Sequence, residues 1–356
     1  MEVVVVGVGD RPTYINNLIS HAKSTDIDVR YISSESDADV HIPLATGSDI
    51  EFLIKFSLYV VFGKIRIDAD VVHVRRIVTL FPFFFITTDA ELIATCPGEL
   101  TEELKMNHSN TFVHIYGFIE LFGARAADTI IAVSDSTREY LIGKYPRISD
   151  KVRVVSVGVD TSIFHPKDRG ALQDAHQVLD SNVLLYAGRF SEVKNLPLLV
   201  DVFERLEERG DWVLYLAGDG EKTEEILTSL EKRELAEQTE YFGYVDQGEL
   251  SDLMNIADCF LFTSRSEGSP NVVREALACG LPVVSTNVGD LSKIVINGKN
   301  GYVVDYNARI MRRKIEIVAD NSGSFREAAR ETETSFQQVF NEIVAIYRHS
   351  VEEKYV

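Results

Sequence analysis

Apolar positions along the chain gather into short, nearly continuous runs separated by stretches of helical spacing. Glu2–Val8 is almost all valine, as expected of a parallel strand buried on both faces. Comparable runs at Val29–Ile32, Val71–Val74, Leu92–Thr95, Thr129–Val133 and Val152–Val155 predict further strands, and helical segments lie between them. That alternation predicts a doubly wound α/β layer. Ser156–Gln177, with Gly158, Pro166 and Gly170, holds no sustained period and reads as a linker. The pattern then repeats at Val183–Ala187, Val213–Ala217, Thr239–Phe242, Cys259–Phe262, Pro282–Ser285 and Gly301–Val304. Arg326–Tyr347 reads as one helix with Phe336, Val339, Phe340, Ile343 and Tyr347 on one face. The expected division is therefore residues 1–158, a linker over 159–177, a second domain over 178–325 and a terminal helix within 326–356.

Two further segments are apolar with few charges. Ile50–Ile67, carrying Phe52, Leu53, Phe56, Tyr59, Val60 and Phe62, and Phe81–Phe85 predict a buried helix and its neighbour. The competing expectation is a face that inserts into one leaflet of a membrane, with the negative net charge weighing against general attraction to anionic lipid.

At 356 residues and 45% hydrophobic content, the chain can form two domains with separate cores. Acidic residues outnumber basic ones, 55 to 36, for a formal charge of -19, which argues against nucleic acid as a partner. An anionic ligand then needs a local basic site. The acidity fits either a solvated surface that maintains solubility or adaptation to high salt, the latter consistent with 14 Lys against 22 Arg. Cys96, Cys259 and Cys279 are scattered and form no CxxC pair, so buried free thiols are expected rather than zinc or disulfides. No basic leader and no apolar run of spanning length is found, and a cytoplasmic protein is expected, with the inner membrane face as its alternative location.

The most informative spacing is Glu267-Gly-Ser-Pro-Asn-Val-Val-Arg-Glu275, two carboxylates with seven residues between them. A predicted strand leads in and a helix over Asn271–Ala278 leads out, so Glu267 falls on the loop and Glu275 about one turn into the helix, both able to face one ligand. Pro270 suits the helix start, whose free N–H groups favour an anionic or hydroxyl-rich ligand. Arg189 and Lys194 both follow a predicted strand, at the end where open α/β sheets bind ligands. Ordinary loop charges would look the same in isolation.

Glu275-Ala-Leu-Ala-Cys-Gly-Leu-Pro-Val-Val continues the Glu-x7-Glu pattern, and upstream stand Tyr186-Ala-Gly-Arg-Phe190 with Lys194-Asn195, Leu216-Ala-Gly-Asp-Gly220 and Phe242-Gly-Tyr-Val245. In this order the four motifs resemble the retaining glycosyltransferases of the GT-B fold, glycosyltransferase family 4. They cover roughly residues 180–305. The first half matches in outline through Asp70-Val-Val-His73, Ala127-Asp128 with Ile131-Ala-Val-Ser134, and Gly158-Val-Asp160 with Phe164 and Pro166. The resemblance implies two Rossmann-like doubly wound domains facing a central cleft, and a tail that crosses back to the first. It implies a nucleotide-sugar donor and a sugar, glycan or lipid-linked acceptor, with no metal ion and no further cofactor.

By that resemblance Arg189 and Lys194 hold the donor diphosphate, Glu275 accepts from the ribose hydroxyls and Glu267 faces the transferred sugar, while Gly268, Ser269, Pro270 and Asn271 bring backbone to sugar and phosphate. Tyr244 and Val245 stand at the base-contacting position. Gly7-Val8-Gly9 lacks the third glycine of a dinucleotide fingerprint because Pro12 occupies it, which argues against NAD and leaves Gly9 as a donor-phosphate candidate. Where the family often has a Thr-x-His-Gly histidine, this chain reads Thr95-Cys96-Pro97-Gly98-Glu99. Glu99 and His73 are the acceptor-side candidates, with a satisfied structural histidine as the equal alternative for His73, and His108 and His114 are weaker ones. The donor phosphate itself can assist acceptor deprotonation in retaining enzymes of this kind. The rivals are an epimerase or hydrolase on the same fold, and a non-catalytic nucleotide-sugar-binding subunit.

Overall fold

A computed structural model describes residues 1–7, 13–23, 25–45, 49–98, 109–176, 178, 181–208, 212–331 and 335–354. The chain forms two compact units, one of residues 1–157 with 336–356 and the other of residues 158–335. In the first unit the strands are β1 (Glu2–Val6), β2 (Asp28–Ser33), β3 (Val40–His41), β4 (Val71–Val74), β5 (Glu91–Cys96), β6 (Thr129–Ala132) and β7 (Val152–Val154). They form one parallel sheet in the order β3-β2-β1-β4-β5-β6-β7. The second unit has β8 (Asn182–Ala187), β9 (Trp212–Ala217), β10 (Thr239–Gly243), β11 (Cys259–Phe262), β12 (Val283–Thr286) and β13 (Gly301–Val304). Its order, β10-β9-β8-β11-β12-β13, reverses between β8 and β11, the point at which doubly wound sheets open a crevice for ligands.

The valine run is explained by its two faces. Val4 and Val6 join Phe52, Phe56, Leu80 and Phe83 on one side of the sheet, whereas Val3 and Val5 join Ile15, Phe336, Phe340 and Ile343 on the other. In the second unit Val183 and Leu185 pack with Met254 and Leu277, and Leu184 and Tyr186 pack with Leu199 and Phe203. Parallel strands covered on both sides lose the alternation of polar and apolar residues.

Three expectations are corrected. The linker assigned to 159–177 is part of the second unit: Phe164 is buried in its core, Arg169–His176 is helical, and Lys167 and Arg169 pair with Asp252 and Asp258. The single helix over 326–347 is interrupted. Ser322–Arg330 buries Phe325 and Ala329 in the second unit, and Ser335 pairs as an extended bridge with Val159 before Phe336–Lys354 resumes as helix on the first unit. A bridge needs extended backbone, which a continuous helix forbids. Finally, the helix Asp49–Val61 is only half buried, with Phe52, Phe56 and Val60 inward and Ile50, Ile54, Leu58 and Val61 exposed.

His73, on β4, is buried with both ring nitrogens engaged, Nδ1 by the Tyr347 hydroxyl and Nε2 by Thr95 Oγ1 at 2.7 Å. Burial lowers its pKa to about 4, so the ring is neutral near pH 7. It ties the terminal helix to the sheet, which fits the structural one of the two roles expected of it rather than the acceptor-side one.

Because Phe340 is buried against β1 from the terminal helix, Phe340→Ala should cost about 3–5 kcal/mol. Native-state hydrogen exchange should quicken across β1–β6 while β8–β12 keep their protection.

Candidate functional site

The carboxyl ends of β8 and β11 flank the reversal of strand order, and the loops that leave them carry Arg189, Lys194 and Glu267. After β8 the chain turns through a short 3₁₀ segment, Glu192–Lys194, and Asn195 adopts a left-handed conformation at φ 52°. Asparagine tolerates that conformation better than most residues, so the Lys-Asn pair ends the turn and starts the helix Leu196–Glu207. The turn is stitched to the loop after β11 at several points. Thr263 Oγ1 donates to the Lys194 carbonyl at 2.8 Å, Arg265 N–H donates to the Val193 carbonyl at 2.8 Å, and Arg265 Nη2 donates to Asn195 Oδ1 at 3.1 Å.

Lys194 Nζ consequently reaches Glu267 Oε1 at 2.5 Å, with both side chains mostly buried, and lies 5.4 Å from the centre of the Phe262 ring. Ser264 Oγ donates to the same Glu267 oxygen at 2.9 Å. The Ser264 backbone is itself fixed, since its carbonyl accepts from Thr286 Oγ1 at 2.6 Å and from the Tyr306 hydroxyl at 3.2 Å. Gly289 completes the support. At φ +57° it lies so close that a Cβ would stand 2.5 Å from the Gly268 carbonyl oxygen and 2.7 Å from that of Glu267, which only glycine allows. A similar approach joins β8 to β9, where a Cβ on Gly218 would meet the Gly188 carbonyl oxygen at 2.0 Å.

Glu275 lies on the helix Asn271–Ala278, which begins after Pro270 and has no side-chain cap. The residue is 8% exposed, and no hydrogen bond or ion pair to its carboxyl group is found among the described residues. Burial raises its pKa to about 7. Next to it Arg274 is buried too, yet fully compensated: it donates to Asp290 Oδ2 at 2.7 Å and to Ser269 Oγ at 3.2 Å, and Ser269 donates to the same Asp290 oxygen at 2.8 Å. This triad anchors the Glu267–Pro270 loop from behind.

The structure thus brings Lys194 and Glu267 into contact and leaves Glu275 buried one turn into the following helix. Arg189 stands apart from that pair, largely exposed, and reaches Glu221 Oε2 at 3.2 Å. Tyr244 is 87% exposed after β10, and Val245 packs its side chain on the core. Gly9, Glu99 and His108 lie outside the described residues, and His114 is exposed with Nδ1 2.6 Å from the Asn110 carbonyl oxygen. Sequence reasoning missed Thr263, Ser264, Arg274, Asp290 and Tyr306. The only signal for Arg274 and Asp290 was a pair of opposite charges inside otherwise apolar runs.

Comparison with known proteins places this geometry in a family. The pattern of the glycosyl transferases group 1 matches residues 169–336, and that of glycosyltransferase family 4 matches residues 12–163. N-acetyl-alpha-D-glucosaminyl L-malate synthase of Bacillus anthracis is 24% identical over 64% of this chain. The match covers 60% of that enzyme's own length, less than two thirds of it. Sucrose-phosphate synthase from Thermosynechococcus elongatus superposes with a TM-score of 0.81 at 17% identity, covering 98% of each chain. Anabaena HepE, solved in complex with UDP-glucose, gives 0.79 at 16% identity, covering 98% of this chain and 100% of its own. With both halves matched in order and the two doubly wound sheets in place, the chain belongs to glycosyltransferase family 4, of the GT-B fold.

Proposed function

We propose that this protein transfers a sugar, with retention of anomeric configuration, from a nucleotide-sugar donor held by the second unit to a sugar, glycan or lipid-linked acceptor. The observation that carries the reading is Glu275, a buried carboxyl group without a protein partner among the described residues, one turn into an uncapped helix. Such a group costs stability in the free protein and suits a vicinal diol that would hydrogen-bond it, as a ribose does. The UDP-glucose held by the Anabaena protein supports a donor of this class.

In this reading the donor diphosphate takes Lys194 and Arg189 from the carboxylates that hold them in the free protein. As the bond between the anomeric carbon and the diphosphate oxygen breaks, the leaving nucleoside diphosphate keeps the electron pair, and the two cations stabilise its growing charge without a metal ion. The acceptor hydroxyl oxygen bonds to the anomeric carbon on the same face, and its proton passes to a donor phosphate oxygen. Glu267 orients the transferred sugar through its hydroxyl groups while remaining fixed by Ser264. Tyr244 lies against the base. Catalysis at the inner membrane face would suit a lipid-linked acceptor; no helix among the described residues is long and apolar enough to cross a membrane.

The test is incubation with a panel of nucleotide sugars and acceptors. Transfer should be seen, and Lys194→Ala should reduce turnover by the equivalent of about 2–4 kcal/mol without changing the circular dichroism spectrum. Full turnover in this variant, or release of free sugar alone whatever acceptor is added, would overturn the assignment.

Glu275 also predicts a pH signature. Its folded-state pKa is raised from 4.5 to about 7, so its neutral form is favoured by the fold and the associated stability is lost as pH rises from 4.5 through 7. Glu275→Gln should therefore melt at a higher temperature than the parent at pH 8, by the equivalent of up to about 3 kcal/mol, with the gap closing towards pH 4.5. The same variant should bind nucleoside diphosphate more weakly by calorimetry. A gap that is equal at both pH values would contradict the buried, unpartnered carboxyl.

A further inference from the structure

One layer of the first unit turns an apolar surface outward. The helix Asp49–Val61, the 3₁₀ segment Ile77–Phe84 and the helix Asn110–Ala126 lie on the same side of the sheet and pack together, Phe56 meeting Phe83 at 6.4 Å between ring centres. Their outward residues are not the polar ones expected of an ordinary surface. From the first helix and its end, Ile54, Leu58 and Phe62 are exposed, Phe62 by 73%. Beside them Phe84, Phe85 and Phe118 are 42%, 62% and 60% exposed, and all three converge on Phe122, at ring distances of 4.5, 6.5 and 4.7 Å. A contiguous patch of this kind marks an interaction site.

Charge identifies the occupant. In a chain with 55 acidic residues, no carboxylate is exposed across residues 50–64, 77–88 and 110–126. Glu51 is held by Lys55 at 2.8 Å, and Glu120 is buried against Lys144 and Tyr145. The exposed charges of these segments are cations. Lys64 lies 5.1 Å from the centre of the Tyr59 ring and Arg125 lies 6.0 Å from that of Phe122, so each long side chain extends from an apolar base with its charge at the rim. Apolar rings and aliphatic chains in the centre with cations at the edge match the acyl region and phosphate groups of a bilayer interface.

We propose that this face of the first unit inserts into one leaflet of a phospholipid bilayer, with Lys64 and Arg125 at the level of the lipid phosphates. The surface is read from the first unit alone. Its purpose, bringing the enzyme to a lipid-linked acceptor, rests on the transferase reading above, and the test keeps the two apart by measuring vesicle and nucleotide binding separately.

The full-length chain should float with phosphatidylcholine vesicles in a density gradient. The triple substitution Leu58→Ser, Phe85→Ser, Phe118→Ser should lower the bound fraction at least about tenfold, with unchanged thermal unfolding and unchanged nucleoside diphosphate binding. Lys64→Gln with Arg125→Gln, which removes both charges and keeps part of each aliphatic chain, should weaken flotation about threefold and carries the test if the triple variant unfolds. Failure of the parent to float would overturn the proposal. So would a lipid-free dimer, found by sedimentation equilibrium, that the triple substitution dissociates.

Discussion

The pairing of Lys194 with Glu267 across the reversal point of the second sheet is the contact on which the site depends. Two opposite charges, both mostly withdrawn from water, hold their places only if the backbone around them is fixed, because desolvation would otherwise exceed their attraction. Here the backbone is fixed from both sides. Thr263 and Arg265 bind the turn that carries Lys194, while Ser264, Thr286, Tyr306 and Gly289 hold the loop that carries Glu267. The carboxylate of Glu267 thereby keeps the Lys194 ammonium group in one position.

Buried charge is handled in two ways within a few residues. Arg274 and Ser269 both bond Asp290 Oδ2 and so lock the loop, while Asp290 Oδ1 is buried with no hydrogen-bond partner among the described residues. Glu275 is buried with nothing to satisfy it among the described residues, and its pKa rises accordingly. The first arrangement is how a fold makes a rigid support. The second leaves a carboxyl group whose ionised form the fold disfavours.

Most of the fold was legible because parallel strands buried on both faces announce themselves as continuous apolar runs; Glu2–Val6 and Asn182–Ala187 left little ambiguity. The site loop was equally legible, since strand, turn, proline and helix are punctuated locally between Cys259 and Ala278. What the sequence hid was long-range. Val40–His41 is too short to show a period, and the break at Ser335 comes from pairing with Val159, far away in sequence. His73 looked like a strand-end histidine near a ligand until Tyr347, from the chain's last helix, proved to occupy one of its nitrogens. The outward apolar face of Asp49–Val61 could not be distinguished from a core face by composition, because inward Phe52 and Phe56 and outward Ile54 and Leu58 are equally apolar.

The central claim, that the nucleotide diphosphate of the proposed donor binds at Lys194 and Glu267 on the loops after β8 and β11 and at Glu275 on the helix that follows, is tested most directly by hydrogen-exchange mass spectrometry with and without saturating nucleoside diphosphate. Protection is predicted in the segments containing residues 188–196 and 264–275, as backbone N–H groups of the turn and of the uncapped helix are taken up by the ligand. Protection confined to the first unit, with these two segments exchanging as in the free protein, would contradict it.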